Sequence, residues 1–279
     1  MTIDQWLHRS TKLLQNHKIN SAHLDCSIII EQSLGKSREW IIAHGDTEVE
    51  SSVLKDLAIK IKKRQDHIPI AYIIGHKEFY GRSFYVNQKT LIPRPESEEI
   101  ISQLLYLVDN NLLTNDATIV DIGTGPGILA ITAKLELPQA TVCATDISES
   151  ALRVARRNAS NNRAQIQLYR ADLLDIPKAI KPRVVLANLP YVPEGLITSD
   201  EIKYEPKLAL FSGDDGLDLY QKFWQQLINL EYKPTYIITE SLESQHKKMS
   251  QLARPPGYYL SRHDGLIQVF ILDNKLIKR

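Results

Sequence analysis

The chain has 279 residues, of which 43% are hydrophobic, so it can build a substantial core without covalent or metal staples. Its 34 basic and 33 acidic residues nearly cancel, which excludes a global field that would draw the protein onto nucleic acid or an anionic membrane. Cys26 and Cys143 lie far apart and lack a CxxC or His-Cys pattern, and no stretch has the apolar length of a signal peptide or membrane span. We therefore expect a cytoplasmic protein with two reduced thiols, no metal and no membrane association.

The N-terminal third of the chain predicts helices followed by a short β-hairpin. Apolar residues recur at helical spacing through residues 1–75, which predicts a small helical domain. The stretch EFYGRSFYVN, residues 78–87, has β-formers on both sides of a glycine and predicts a hairpin within a linker over 76–95. In LIPRPESEEI, two prolines enclose Arg94 and an acidic run follows, which predicts a stiff connector and then a helix over 97–112.

The remainder predicts an α/β domain spanning 96–279. From residue 117 onward, short apolar runs alternate with helical stretches, the pattern of a parallel sheet covered on both faces. Strands are predicted at 118–121, 141–146, 165–169, 183–187, 235–240 and 265–272. Helices are predicted at 127–136, 148–161, 216–229 and 241–252.

A glycine-rich turn, DIGTGPG, follows the first of these strands and opens a helix. Glycines at such a turn permit positive φ angles and let the backbone approach a ligand closely, while the helix start offers unpaired N–H groups. The spacing is GxGxG, and Ile128 stands where the dinucleotide fingerprint has its third glycine, which disfavours a nicotinamide oxidoreductase. The predicted cofactor loop consists of Gly123, Thr124, Gly125, Pro126 and Gly127.

Two further strand ends carry acidic side chains that should reach the same edge of the sheet. Asp146 ends the second strand, about twenty residues past the glycines, where a carboxylate can accept both hydroxyl protons of a ribose. Asp172 and Leu173 follow the third strand and suit an adenine amino group and an adenine face. Each aspartate could instead cap the helix that follows it. Together with the glycine loop they favour a ligand that contains ribose and adenine.

The fourth strand ends in Asn188, Leu189, Pro190 and Tyr191. The Asn188 side chain and the Leu189 backbone each supply a carbonyl acceptor, Pro190 fixes their geometry, and Tyr191 offers a flat surface. Two acceptors and a ring predict a cradle for a planar NH2 group beside the cofactor. A strand followed by an ordinary Asn-Pro turn is the alternative.

The pair DIGTGPG and NLPY resembles class I S-adenosylmethionine-dependent methyltransferases of the amino-group type, which carry an Asn/Asp-Pro-Pro-Tyr motif. GHKEFYGRSFYVNQKTLIPRPESEE at 75–99 and YEPKLALFSGDDGLDLYQKF at 204–223 are similar to release factor glutamine methyltransferases, the HemK/PrmC family of protein-(glutamine) N-methyltransferases. The segment RQDHIPIAYIIG in the helical N-terminus agrees, so the likeness covers nearly the whole chain. Leu189 departs from the family, which has Pro at that position.

This resemblance implies a Rossmann-like methyltransferase domain with a mostly parallel seven-stranded sheet, preceded by a small helical bundle and a β-hairpin connector. It implies S-adenosyl-L-methionine as cofactor and methyl transfer to the glutamine amide nitrogen in the Gly-Gly-Gln motif of peptide chain release factors, modulating translation termination. Asn188 through Tyr191 would hold that amide, Asn188 also lying against the cofactor, while Arg94 and Glu205 would line the substrate groove. The N-terminal domain would recognise the protein substrate. We expect a monomer that binds no nucleic acid directly.

Two other functions remain open on the sequence. An adenine-amino DNA methyltransferase uses the same NH2 cradle, but such an enzyme usually needs a basic groove, which the near-zero net charge disfavours. A non-catalytic adaptor could keep the fold and bind translation factors, although it would not need an intact glycine loop and NLPY segment.

Overall fold

Two units of unequal size make up the chain in the computed structural model, which describes residues 1–196 and 200–273. The first comprises residues 1–76 together with 198–204, and the second comprises 77–197 together with 205–279. The final residues of the predicted 96–279 domain, 274–279, lie outside the described residues.

The first unit is the predicted helical bundle. Its helices are α1 (Ile3–Asn16), α2 (Ala22–Leu34), α3 (Arg38–Ala43), α4 (Ser51–Gln65) and α5 (Ile70–Ile74). Helix α1 begins with a reciprocal capping box, in which the Thr2 side chain accepts from the Gln5 backbone N–H and the Gln5 side chain accepts from that of Thr2. The buried core of the bundle contains Ile3, Trp6, Leu14, Cys26, Ile29, Ile30, Leu57 and Ile61.

The buried Arg64 side chain connects residues 200–204 to the bundle. The guanidinium of Arg64, on α4, donates to Asp25 at 2.6 Å and to Glu201 at 2.5 Å. Both Arg64 and Asp25 are buried, and the Tyr204 hydroxyl donates to the Asp66 carbonyl. Removing one partner of the buried Arg64–Asp25 pair typically costs about 3–5 kcal/mol. The Glu201 side chain is 37% exposed, so its pairing with Arg64 contributes less.

The predicted hairpin is present and packs into the core of the second unit. Its strands are β1 (His76–Phe79) and β2 (Arg82–Tyr85). Phe79 and Phe84 are buried, with their rings 6.3 Å apart and edge to face. The Asn158 carboxamide accepts from the Tyr85 N–H at 2.8 Å and donates to the Tyr85 carbonyl at 3.0 Å, which joins β2 to the rest of the second unit.

A seven-stranded sheet forms the centre of the second unit, as predicted. The strands are β3 (Thr118–Ile122), β4 (Thr141–Asp146), β5 (Gln167–Arg170), β6 (Val184–Ala187), β7 (Tyr236–Glu240), β8 (Tyr258–Asp264) and β9 (Ile267–Leu272). Their order is β5-β4-β3-β6-β7-β9-β8. Strands β3 to β7 run parallel, and β9 pairs antiparallel with both β7 and β8. The α/β class and the mostly parallel sheet are thus confirmed.

Helices cover both faces of this sheet. They are α6 (Glu98–Asp109), α7 (Ile128–Glu136), α8 (Glu149–Asn161), α9 (Asp218–Asn229) and α10 (His246–Ala253). Alternate residues of one strand enter different cores: Ile119 packs with residues of α6 and α7, and Val120 packs with residues of α9 and α10. Burial on both faces explains why β6 is a continuous apolar run and why β3 and β7 are mostly apolar.

Strand β8 corrects the sequence analysis, which predicts a strand at 265–272 but none over residues 258–264. Only Tyr258 of β8 is buried, because β8 is an edge strand with polar residues along most of its length. The register also shifts between Leu260 and Arg262, which breaks the strict alternation that identifies a strand. The predicted helix 241–252 likewise begins later, as α10, after a 3₁₀ turn at Glu243–Gln245.

Candidate active site

The predicted site residues gather where the order of the strands reverses. Strand β3 lies between β4 and β6. From β3 the chain continues to β4 and β5 on one side, and then returns to place β6 and β7 on the other side. In an open parallel sheet, this switch point leaves a crevice at the carboxyl ends of the strands, where ligands bind. The glycine loop follows β3, Asp146 ends β4 and Asn188 follows β6.

The glycines of the loop have different roles. All three have positive φ, at 66° for Gly123, 54° for Gly125 and 86° for Gly127. A Cβ atom on Gly125 would meet nothing within 4 Å, so open space lies over its backbone. One on Gly127 would lie 3.1 Å from Ala155 Cβ, in α8. Gly125 therefore leaves room for a ligand, whereas Gly127 lets two helices pack closely.

Buried polar contacts hold the loop in shape. Thr124 Oγ1 donates to the Asp121 carboxylate at 2.5 Å, and the Ala130 N–H donates to the same oxygen at 3.2 Å. Burial raises the pKa of Asp121 to about 7. The Pro126 carbonyl accepts from the Asn158 carboxamide at 2.8 Å. These bonds preorganise the loop without help from a ligand.

Asp146 connects the loop to the start of α8. Its Oδ2 accepts from the Gly125 N–H at 2.9 Å and its Oδ1 from the Ser148 N–H at 2.8 Å. Burial raises the pKa of this carboxyl. Asp146 is not the N-cap of α8. That residue is Ser148, whose hydroxyl accepts from the Ala151 N–H. An ionised carboxylate can accept about four hydrogen bonds, so Asp146 keeps capacity for ligand hydroxyls.

Asp172 and Leu173 follow β5, as predicted, in a different environment from Asp146. The Asp172 carboxylate pairs with the Lys222 ammonium of α9. Residues 173–183 contain no helix, so Asp172 caps none. Leu173 is buried with φ 56°, a conformation that bulky side chains rarely adopt, and its carbonyl accepts from Thr145 Oγ1 at 3.1 Å.

The Asn188 carboxamide has a fixed orientation. Its Nδ2 donates to Ser97 Oγ at 2.8 Å and to Glu240 Oε2 at 3.0 Å. Because the two ends of a carboxamide lie on opposite sides of its carbon, Oδ1 points away from Glu240. Asn188 therefore presents a hydrogen-bond acceptor rather than a donor.

Leu189 places the NLPY segment directly against the glycine loop. The Leu189 side chain is 2% exposed, and a Cβ atom on Gly123 would lie 2.9 Å from Leu189 Cδ2. The first glycine of the loop thus makes room for this side chain. The glycine loop and the predicted NH2 cradle are neighbours for this reason.

Tyr191 is held at both its ring and its backbone. Its hydroxyl donates to Glu240 Oε1 at 2.7 Å, and its carbonyl accepts from Gln245 Nε2 at 2.8 Å. Burial and the adjacent Glu240 carboxylate raise the pKa of Tyr191, so the phenol stays a donor. The next residue, Val192, forms a parallel bridge with Phe211, which fixes the exit from the segment.

Arg94 and Glu205, predicted separately, contact each other. The Arg94 guanidinium donates to Glu205 Oε1 at 2.5 Å, and Glu205 Oε2 accepts from the Ile92 N–H at 3.0 Å. Arg94 thus forms its ion pair with a residue distant in sequence and not with the neighbouring Glu96 or Glu98. The Arg94 side chain is 34% exposed and that of Glu205 is 3% exposed, so a buried carboxylate holds a guanidinium at the surface.

Three residues of this site were not predicted from the sequence: Ser97, Tyr220 and Glu240. Glu240 ends β7, beside β6, so its place at a carboxyl strand end is a signal of the kind that identified Asp146. Ser97 lies within the PRPESEE stretch between two glutamates, and no sequence pattern distinguishes it as a site residue. The buried Tyr220 hydroxyl lies 2.8 Å from the Ala187 carbonyl and 2.6 Å from that of Glu240.

Two negative findings apply to residues 1–196 and 200–273. No group of three or more His, Cys, Asp or Glu side chains is placed to hold a metal ion. None of the helices combines the length and the apolar character needed to cross a bilayer.

Two family models and several solved structures match parts of this chain. Residues 5–75 match the family model for the PrmC N-terminal domain, and residues 102–191 match that for ribosomal protein L11 methyltransferase (PrmA). Among solved structures, the hMettl16 catalytic domain in complex with MAT2A 3'UTR hairpin 6 superposes with a TM-score of 0.53 at 12% identity, covering 78% of this chain and 83% of that one, which shows a shared fold.

Two bacterial relatives are considerably more similar to this chain in sequence than that structure is. The release factor glutamine methyltransferase of Bacillus anthracis is 37% identical over 220 residues, which cover 76% of this chain and 77% of that protein. The protein of the same name from Staphylococcus aureus is 36% identical over 209 residues, or 73% of each chain. This chain therefore belongs to the release factor glutamine methyltransferase family.

Proposed function

We propose that this protein transfers a methyl group from S-adenosyl-L-methionine to the side-chain amide nitrogen of the glutamine in the Gly-Gly-Gln motif of peptide chain release factors. The orientation of the Asn188 carboxamide carries this proposal, because it offers Oδ1 as an acceptor beside the glycine loop. Family membership supports the same reaction and disfavours an adenine-amino DNA methyltransferase or an adaptor.

The residues around the glycine loop fit the proposed cofactor. The open space over Gly125 can receive a ligand, Asp146 can accept from ribose hydroxyls, and Asp172 with Leu173 would face the adenine. Thr124 and Pro126 hold the loop in position through Asp121 and Asn158. When bound, the cofactor supplies a methyl group on a positively charged sulfur.

The NLPY segment would prepare the substrate amide. An amide nitrogen is a poor nucleophile because its lone pair is delocalised into the carbonyl. Accepting both of its N–H bonds, on Asn188 Oδ1 and the Leu189 carbonyl, orients this nitrogen and favours the positive charge that develops on it. Pro190 would keep the second carbonyl in place and Tyr191 would pack on the amide plane. The methylated nitrogen then releases one proton to water, since an N-protonated amide is strongly acidic.

The remaining roles follow from position and exposure. Arg94, held by Glu205, would contact the loop of the release factor that carries the glutamine. We further propose that the enzyme acts as a monomer in the cytoplasm. The free, buried thiols of Cys26 and Cys143 suit a reducing compartment.

Replacing Asp146 by alanine is expected to weaken S-adenosylmethionine binding. Losing hydrogen bonds to a charged group costs roughly 1.5–3 kcal/mol, which corresponds to about a 10- to 100-fold higher dissociation constant. Titration calorimetry measures this change directly. Asp175→Ala, which alters an exposed aspartate, is the control and should bind like the wild type. Unchanged affinity in Asp146→Ala would refute the ribose role.

The helical first unit is expected to recognise the release factor. Ile42 and Ile59 of this unit are large apolar side chains that are 74% and 59% exposed to solvent. If either contacts the substrate, Ile42→Glu or Ile59→Glu should raise the KM for intact release factor about tenfold, the effect of one substantial interface contact, and leave kcat unchanged. Kinetics on a short Gly-Gly-Gln peptide should not change. Leu112→Glu, an exposed leucine of the second unit, is the control. A KM unaffected by both first-unit variants would contradict this role.

Mass spectrometry tests the proposed reaction itself. Release factor incubated with the enzyme and S-adenosylmethionine should gain one methyl group, located by fragmentation on the glutamine of the Gly-Gly-Gln loop. A parallel incubation with DNA should leave adenine unmodified. Methylated adenine with unmodified release factor would place the activity with the adenine-amino enzymes instead.

A further inference from the structure

A buried carboxylate organises the NLPY segment from behind. Glu240 is 1% exposed. It accepts hydrogen bonds from Ser97 Oγ at 2.6 Å, from Asn188 Nδ2 at 3.0 Å and from the Tyr191 hydroxyl at 2.7 Å. All three partners are neutral groups that donate, so Glu240 serves as an acceptor at both of its oxygens. The arrangement links the two side chains of the proposed amide cradle through a single residue.

We propose that Glu240 is the positioning residue of the active site, which, together with Ser97, forces Asn188 to present Oδ1 to the substrate amide and holds the Tyr191 ring beside it. The proposal rests on the proposed function, because it concerns how Asn188 comes to act as an acceptor. Neither Glu240 nor Ser97 needs to touch the substrate.

The need for such a residue follows from the symmetry of the asparagine side chain. The two ends of a carboxamide have nearly the same shape, and a flipped Asn188 would point N–H donors at the N–H donors of the substrate. Burial raises the pKa of Glu240, and the hydrogen bonds from Ser97, Tyr191 and Asn188 act in the opposite direction by favouring the carboxylate. In its ionised form Glu240 has no proton to donate, so it admits only the orientation with Nδ2 toward Glu240. Ser97 adds to this constraint, because its one hydroxyl proton is directed to Glu240 and its oxygen is left to accept from Asn188.

The backbone is tied to the same residue. The Tyr220 hydroxyl lies 2.6 Å from the Glu240 carbonyl and 2.8 Å from that of Ala187, and the Leu189 N–H donates to it at 3.4 Å. The chain on both sides of Asn188 is thus joined to Glu240 through one phenol. An ionised Glu240 so close to Asn188 would also favour positive charge on the substrate amide nitrogen.

Glu240→Gln tests the proposal with a minimal change of shape. A glutamine has one acceptor and one donor end, so it admits a flipped Asn188. We expect kcat to fall by about 10- to 100-fold, the effect typical of outer-shell partners at metal ligands. The KM for release factor and the affinity for S-adenosylmethionine should stay within about twofold of the wild type, since the network does not include the cofactor residues. A fall in cofactor affinity equal to the fall in kcat would overturn the proposal.

Matched variants separate positioning from a general structural effect. Glu243→Gln makes the same chemical change at an exposed glutamate three residues away and should behave like the wild type. Ser97→Ala should lower kcat, whereas Ser97→Thr should retain the wild-type kcat, because threonine keeps the hydroxyl. In an Asn188→Ala background, Glu240→Gln should lower kcat by no more than about threefold, since its main partner is already gone. A full, independent loss in that background would overturn the proposal.

Hydrogen exchange of the Asn188 carboxamide gives a readout that does not depend on activity. The two side-chain N–H signals, assigned by their loss in Asn188→Ala, should exchange slowly in the wild type and faster in Glu240→Gln. Fast exchange in the wild type would overturn the positioning role. Slow exchange that Glu240→Gln removes, in an enzyme that leaves release factor unmethylated, would support the positioning role and refute the proposed function.

Discussion

Asn188→Ala is expected to lower turnover by about 10²- to 10³-fold, the loss found when one preorganised charge-stabilising hydrogen bond is removed. The variant removes Oδ1, the acceptor that the structure holds in place through Ser97 and Glu240. The Leu189 carbonyl would remain, so a residual rate should persist. Single-turnover kinetics with radiolabelled S-adenosylmethionine and release factor measure the chemical step separately from binding.

Cofactor affinity distinguishes this role from a binding role. Asn188→Ala should bind S-adenosylmethionine as tightly as the wild type by calorimetry, and Asn229→Ala, at an exposed asparagine of α9, should leave both quantities unchanged. Equal losses of turnover and affinity in Asn188→Ala would instead place Asn188 in the cofactor site.

The second large effect is expected from Gly216→Ala. Gly216 has φ 78°, and a Cβ atom there would lie 2.1 Å from the Tyr191 carbonyl oxygen and 2.6 Å from Gln245 Nε2. Since the obstacle is backbone, the NLPY segment must shift to admit the methyl group. The strain of positive φ adds to this overlap, so we expect a loss of about 2–4 kcal/mol in the free energy of unfolding. Turnover should fall as well, because Tyr191 moves.

Chemical denaturation measures the loss of stability, and Gly265→Ala provides the control. Gly265 has φ 47° in the turn between β8 and β9, and a Cβ atom there would meet nothing within 4 Å. This control therefore reports the conformational strain alone, which costs about 1–2 kcal/mol. Equal losses of stability in the two variants would show that contact with Tyr191 is unimportant.

The parts of the site that could be predicted from the sequence are those fixed by topology. A glycine loop after one strand, and Asp146 and Asn188 at the ends of two others, must meet because parallel strands bring their carboxyl ends to one edge. The strands β3, β6 and β7 were predictable because a parallel strand buried on both faces is mostly apolar in sequence.

The parts that could not be predicted depend on tertiary contacts. Ser97 and Glu240 are 143 residues apart, and neither sequence neighbourhood indicates that they share a hydrogen bond. Strand β8 is an edge strand whose polar residues resemble a loop. The packing of Phe79 and Phe84 into the second unit is likewise a tertiary feature that the short hairpin pattern does not contain.

Leu189 shows how one departure from the family pattern is accommodated. Its side chain is buried against the space left by Gly123, so it contributes packing between the NLPY segment and the glycine loop. The acceptor proposed at this position is the backbone carbonyl, which leucine retains. Pro190 also confines Leu189 to extended conformations, as a proline at the same place would be confined.

A crystal structure with S-adenosylhomocysteine and a Gly-Gly-Gln peptide tests the central claim most directly. We expect the glutamine amide nitrogen to lie about 2.7–3.2 Å from both Asn188 Oδ1 and the Leu189 carbonyl oxygen, with the Tyr191 ring against the amide plane. The Asn188 Nδ2 should still donate to Ser97 and Glu240. A substrate amide bound away from Asn188, or an Asn188 side chain rotated so that Oδ1 faces Ser97 and Glu240, would contradict the account.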